Sequence, residues 1–281
     1  MLFRLLFLLI LAAAIAAGGY YAVQELYVKP EQKLQADKKL PPPAPPPDPS
    51  FAEFNRCMEI KNKGSLAEAR AAFERFLKEF PESKKHDAAL DAIGEINSAA
   101  FFSMKPDETN TYVVAPGDSL SRISARRRMP VELILYLNKM ENDTLQVGQR
   151  VLAPQNEFRV VLQQKTRMIV LHNGQKFFRQ YPTVSWPGMH KKPPVFLPKA
   201  TGKVSDKVSY VDGRVVKSTD KEYFGGNHIL VITIPGHSLY TQPDDPAALV
   251  NRPTGGGIGV TPALMSEIAI LLPRGTPVTL E

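Results

Sequence analysis

The side chains that can carry chemistry are few and widely spaced. Cys57 is the one cysteine among 281 residues, so no intrachain disulfide forms, and neither a cysteine-rich zinc site nor an iron–sulfur cluster can be built. It lies beside Phe54, Met58 and Ile60, the setting of a packed thiol rather than a nucleophile. His237 and Ser238 are neighbours, and adjacent residues on a strand point to opposite faces, which works against direct proton transfer. His190 and His228 have no carboxylate nearby at a recognised ligand spacing, so no metal and no cofactor are expected. Gly255-Gly256-Gly257 has the glycine content of a phosphate-cradling loop but lacks its Lys-Ser/Thr ending. Arg126-Arg127-Arg128 has no interleaved aromatics and reads as a solvated face, so nucleic acid is not an expected partner.

The elements that must position these residues fall into five stretches. Apolar residues make up 43% of the chain and charged residues 22%, which excludes a wholly disordered chain and a multi-spanning membrane protein. Residues 5–23 are uncharged and close to the length that crosses a bilayer, with Tyr20-Tyr21 placed as interfacial aromatics. Residues 1–23 are therefore expected to be a signal anchor or, if cut near Ala14-Ile15-Ala16, a signal peptide. No cysteine follows closely, which excludes a lipoprotein anchor. Residues 24–50 read as a Pro-rich linker ending in the run from Pro41 to Pro49, which favours extended polyproline II. Residues 51–107 are a helical spacer, with Leu66, Ala69, Phe73, Phe76, Leu77 and Phe80 at helical steps, Ser65 as a cap and Pro81 as a stop.

In residues 111–154, Tyr112-Val113-Val114 is a strand. Pro116-Gly117-Asp118 turns it into a helix that Asp118 can cap, Pro130 opens a second helix, and residues 149–154 return as a strand. The unit is βααβ. Residues 157–281 are β-rich, with strands expected at 158–162, 167–172, 176–181, 228–234, 238–241 and 276–280 and a helix at 262–272. Asn173-Gly174 makes a hairpin turn. The net charge of +7 is concentrated in this last stretch, which carries 15 basic and 9 acidic residues.

Three resemblances attach to these residues. Residues 61–83, with a turn glycine, Ala69, Ala72, Phe73, Phe76 and a closing proline, resemble a tetratricopeptide unit, in fewer copies than a binding solenoid needs. A small bundle that extends the stalk or dimerises is expected instead. The series from Tyr112 through Pro116-Gly117-Asp118-Ser119-Leu120 and Ile123, then Leu137-Asn138, Leu145-Gln146-Val147-Gly148-Gln149 and Val151-Leu152-Ala153-Pro154, closely resembles the LysM family. That resemblance implies binding of N-acetylglucosamine-containing glycans, chiefly peptidoglycan. The implied groove lies between Gly117, Asp118, Ser119 and Leu120 on one side and Thr144, Leu145, Gln146 and Val147 on the other.

Residues 157–281 resemble the L,D-transpeptidase (YkuD-type) domain through the Asn173-Gly174 hairpin, Ala200-Thr201-Gly202, residues 224–234 and Gly275-Thr276-Pro277-Val278. That family attacks a stem-peptide carbonyl with a cysteine thiolate assisted by histidine. Here the first histidine position is Tyr240, and the nucleophile motif falls on Thr254-Gly255-Gly256-Gly257-Ile258-Gly259, with Gly257 at the cysteine. No catalytic residue is therefore assigned: Tyr240, Thr254, Gly255, Gly257 and Gly259 are degenerate positions. The expected whole is a multidomain α+β protein on the periplasmic side of the cell envelope, anchored in the inner membrane by residues 5–23. It would bind peptidoglycan glycan strands, stem peptides or wall enzymes without turnover. The alternative is an L,D-transpeptidase or carboxypeptidase with a non-standard active site.

Overall fold

The computed structural model describes residues 2–39, 48–188, 196–217, 219–243, 245 and 256–281. Most of the Pro-rich run, His190, Thr254 and Gly255 lie outside them. The chain divides into two compact units, residues 1–48 and residues 49–281.

In the first unit, helix α1 (Leu2–Val23) leads through a π-helical turn (Gln24–Val28) into α2 (Lys29–Lys39). Residues 24–39 are thus helical where a spacer was expected. They contain no glycine, Pro30 falls in the first turn of α2, where proline is tolerated, and Lys29 pairs with Glu25 four residues back. Among the described residues no helix is long and apolar enough to cross a membrane.

The second unit opens with three helices, α3 (Pro49–Lys63), α4 (Leu66–Glu79) and α5 (His86–Phe102). Ser65 caps α4 in a full capping box with Glu68, as the Gly64-Ser65 turn implied. Cys57, Ala69, Ala72, Phe73, Phe76 and Ile93 form the buried interior, and burial pushes the Cys57 thiol up. This bundle does not extend a stalk. It packs on the β-rich domain, where Asn97 Nδ2 donates to the Phe178 carbonyl at 2.8 Å and Gln180 Nε2 donates to Asp91 at 2.8 Å. Gly94 admits this approach, since a Cβ there would lie 2.8 Å from Arg179 Cγ.

The βααβ unit follows as β1 (Thr111–Val113), α6 (Leu120–Arg127), α7 (Val131–Leu137) and β2 (Arg150–Leu152), with β1 antiparallel to β2. The remaining strands are β3 (Phe158–Gln163), β4 (Met168–Asn173), β5 (Lys176–Pro182), β6 (Ala200–Val211), β7 (Arg214–Val216), β8 (Asn227–Ile232), β9 (Leu239–Thr241), β10 (Ile258–Val260) and β11 (Pro277–Leu280). Helix α8 (Pro262–Leu271) precedes the last of them. Among the described residues these strands form one sheet in the order β10-β9-β8-β6-β11-β3-β4-β5, with β7 on β6. Most pairs are antiparallel, while β10 with β9 and β11 with β3 are parallel.

One hydrophobic core runs from Leu120, Ile123, Leu133 and Ile134 of the βααβ unit into Leu162, Leu230, Leu239, Ile258 and Leu271 of the sheet domain. A buried polar latch reinforces that seam. Glu132 of α7 forms an ion pair with Lys207 of β6, the two side chains being 7% and 8% exposed, and the Tyr223 hydroxyl donates to Glu132 at 3.3 Å. Burial holds the Lys207 ammonium below the usual lysine value, a pull that Glu132 opposes.

Candidate functional site

The two loops that the sequence pairs in the βααβ unit meet at their bases. Gly148 N–H donates to the Val114 carbonyl at 2.8 Å, and Val114 N–H donates to the Gln149 carbonyl at 2.9 Å. Gly117 has φ of +79°, a left-handed turn that a side chain would strain. Asp118 does not cap α6. Its carboxylate braces the turn instead, accepting from the Tyr112 hydroxyl at 2.7 Å and the Ala115 N–H at 2.9 Å and pairing with Arg126 at 2.9 Å. These hydrogen bonds, Tyr112 foremost, hold its carboxyl below the usual carboxylate range. Ser119 is the cap, accepting from Arg122 N–H at 3.3 Å.

Leu120 is 3% exposed and packs in the core, so it has no face to offer a sugar; Leu145 is half-buried against the same core. Gly117, Ser119, Thr144, Gln146 and Val147 are exposed. Val113 also stands out of β1 at 54% exposed, an apolar surface that the alternating strand pattern pointed to and the residue list above omits. In the basic triplet Arg126 and Arg128 are exposed; Arg126 pairs with Asp118, Arg127 donates to the Thr111 carbonyl, and Arg128, at a left-handed φ of 53°, pairs with Glu157 at 3.0 Å.

The second candidate locus lies where β9 and β10 run side by side and Tyr240 registers with Gly259. Tyr240 is 1% exposed. Its hydroxyl lies 3.0 Å from Ser185 Oγ and donates to Gln242 Oε1 at 3.0 Å, and Ser185 Oγ donates to Gln242 Oε1 at 2.6 Å. Residue 185 also bridges to Gly259 through the backbone. A Cβ at Gly259 would lie 2.0 Å from Gln242 Oε1 and 2.5 Å from Ser185 Oγ, so this hydroxyl–amide network fills the space a side chain would need. Gln242 accepts hydrogen bonds and takes up no proton near neutral pH. Nothing in the sequence foreshadowed Ser185, which is far from Tyr240 in the chain.

Gly257 enters β10 without a side chain, and Ile258 N–H donates to the Ser238 carbonyl at 2.8 Å. His237 lies edge-on to Trp186, with ring centroids 6.4 Å apart. His237 Nδ1 lies 2.8 Å from the Pro235 carbonyl. His228 is 1% exposed, its ring faces Tyr223 with centroids 5.1 Å apart, and both its nitrogens are buried without a hydrogen-bond partner. Burial, followed by the nearby Lys207 charge, pushes the His228 pKa down to about 4, so it is neutral near pH 7. Among the described residues no three His, Cys, Asp or Glu side chains gather as a metal site would require.

No curated protein matches the chain. Solved structures similar to it include an L,D-transpeptidase from Mycobacterium smegmatis (17% identity, TM-score 0.29, covering 48% of this chain and 63% of that one). A mutant L,D-transpeptidase from Enterococcus faecium is similar too (17% identity, TM-score 0.29, covering 50% and 56%). The chain thus spans less than two thirds of the length of either. The LysM domain model matches residues 112–154, the stretch in which β1, α6, α7 and β2 form the βααβ unit. Residues 112–154 are a LysM domain.

Proposed function

We propose that this is an exported peptidoglycan-binding protein of the cell envelope, whose LysM domain holds glycan strands and whose β-rich domain has an L,D-transpeptidase-like plan without the reaction. The LysM domain carries the reading. Its loops present backbone and small polar groups at Gly117, Ser119, Thr144 and Gln146, which can approach N-acetyl and hydroxyl groups closely, while Val147 and Val113 offer apolar surface to a sugar face. Asp118 supports that groove from beneath rather than from within it.

The loss of reaction is read from the residues aligned with the family's motif. Gly257 supplies no thiol, and a phenol, Tyr240, stands where the family has an imidazole base. Residues 5–23 direct export, as a retained tether or as a cleaved signal; fractionation of a tagged full-length form separates the two. A shallow groove buries little ligand, so tethering and further contacts with the wall add avidity.

The test is sedimentation of the full chain with purified sacculi, in competition with chitin oligomers. Pelleting that the oligomers reverse is the expected result. A folded protein that stays in the supernatant contradicts the glycan-binding reading.

A further inference from the structure

The seam between the LysM domain and the sheet domain holds a polar cluster that its own hydrogen bonds leave incomplete. Glu132 of α7 is the LysM domain's contribution, paired with the Lys207 ammonium of β6 and accepting from the Tyr223 hydroxyl at 3.3 Å. Tyr223 sits on a 3₁₀ turn (Lys221–Gly225), and burial keeps its phenol protonated. Beside this trio stands His228 of β8, 1% exposed, its ring 5.1 Å from the Tyr223 ring. Neither of its ring nitrogens has a hydrogen-bond partner. A buried polar group without a partner is costly, and water would serve both nitrogens, so even the neutral ring favours an open seam.

A charged ring fares worse in these surroundings. On β6, Lys207 presents a like charge, and Ser209, in register with His228, donates its hydroxyl to the Tyr223 carbonyl at 3.3 Å. On β9, Thr241 Oγ1 accepts from the His228 backbone N–H at 2.8 Å, and the Tyr240 hydroxyl turns to Gln242. The carboxylate of α8, Glu267, is taken by Ser98, Arg179 and Tyr181. Lys221 and Glu222 of the 3₁₀ turn pair with Glu141 and Arg214, and Asp206 of β6 pairs with Arg274. The Phe224 carbonyl favours the charged ring without completing a hydrogen bond to it. Among the described residues Glu132 is then the carboxylate left to answer two cations, Lys207 and an imidazolium.

We propose that protonation of His228 undocks the LysM domain from the sheet domain: α7 separates from β6 and the 3₁₀ turn, water reaches the cluster, and each domain keeps its own fold. The apolar core that also crosses the seam keeps the closed form dominant at neutral pH, so acid acts by shifting a population. On the glycan-binding reading the LysM domain keeps its hold on the wall while the sheet domain moves, although the release itself does not depend on that reading.

Burial, followed by the Lys207 charge, holds the His228 pKa at about 4 in the closed seam, whereas a hydrated imidazole titrates at about 6.5. The open form therefore binds more protons between those values, and the opening constant should rise about twentyfold from about pH 7 to about pH 5. The test is single-molecule energy transfer in the full chain between dyes on Val147→Cys of the LysM domain and Val215→Cys of β7, both exposed, with Cys57 buried and unlabelled. The expected result is a ratio of low-transfer to high-transfer molecules that climbs about twentyfold over this range, starting below about pH 6.5, while far-ultraviolet circular dichroism stays constant. His228→Phe, which keeps a ring and removes the charge, should abolish the climb. A constant ratio, a climb accompanied by loss of the dichroism signal, or its persistence in His228→Phe overturns the proposal. If that variant does not fold, the profile of the protein with His228 intact decides: a climb that starts only below about pH 5 belongs to carboxylates and overturns the proposal as well.

Discussion

The loops around Gly117 in the LysM domain and the β9–β10 edge of the sheet domain both set polar side chains around a glycine, and they use them in opposite ways. Around Gly117 the polar groups brace the backbone from below, through Asp118 to Tyr112 and Ala115, and leave the loop surface to solvent. Around Gly259 the groups of Ser185, Tyr240 and Gln242 hydrogen-bond to one another and occupy the space above the glycine. Binding a neutral sugar needs accessible donors, acceptors and a little apolar surface, and a braced loop is enough. Acyl transfer needs a nucleophile beside a group that titrates near neutral pH, and the reading proposed above is that the hydroxyls and amide around Gly259 do not supply it.

The largest effect is expected at the seam that makes the two regions one body. Glu132→Ala leaves Lys207 buried without a partner and should destabilise the protein by about 3–5 kcal/mol in chemical or thermal unfolding. Replacing both residues with methionine should recover much of that loss. A small effect of the single change would show that the domains are separable and would remove the basis for comparing them as parts of one body.

The next effect is a dependence on pH in the sheet domain. His228 is depressed to about 4 in the folded protein, whereas an unfolded histidine titrates near 6.5. Between those values the unfolded chain binds more protons, so stability rises with pH through this window and is lost as pH falls from about 6.5 toward 4. The full loss is about 3 kcal/mol. His228 faces Tyr223 and feels Lys207, while Glu132 lies behind both, and His228→Phe should flatten the profile.

A smaller cost is expected from Gly259→Ala, about 1–3 kcal/mol in unfolding measurements, because the new methyl displaces Gln242 or Ser185. In a Gln242→Ala background the same change should cost less, a non-additivity that reports direct contact. The smallest effect is at the glycan loops: Ser119→Ala removes the cap of α6 and should cost about 1 kcal/mol in thermal denaturation.

Much of the LysM domain could be read from the chain because its elements are local. Pro116, Gly117 and Pro130 punctuate them, and the helical apolar steps carry them. What could not be read were side-chain partners brought together by the tertiary fold. Leu120 follows the cap and lies next to the groove in sequence, yet its helical position turns it into the core. Asp118 had the residue type of a cap, and only the distance to Tyr112 shows it as a brace. In the sheet domain the strands were recognisable from alternation and from the Asn173-Gly174 turn, whereas the Ser185–Tyr240–Gln242 network spans three loops and strands and has no periodic signature. The docking of α5 on β5 rests on Asn97, Gly94 and Gln180, which look in sequence like an ordinary helix face and an ordinary strand.

The contrast between the open loop around Gly117 and the filled space above Gly259 is tested most directly by incubating the full chain with purified sacculi, then measuring both retention in the pellet and the muropeptides released afterwards. The account predicts retention with a muropeptide profile identical to that of untreated sacculi, and no acyl-enzyme on exposure to a carbapenem. New crosslinks or trimmed stems, abolished by Ser185→Ala or Tyr240→Phe, would contradict it.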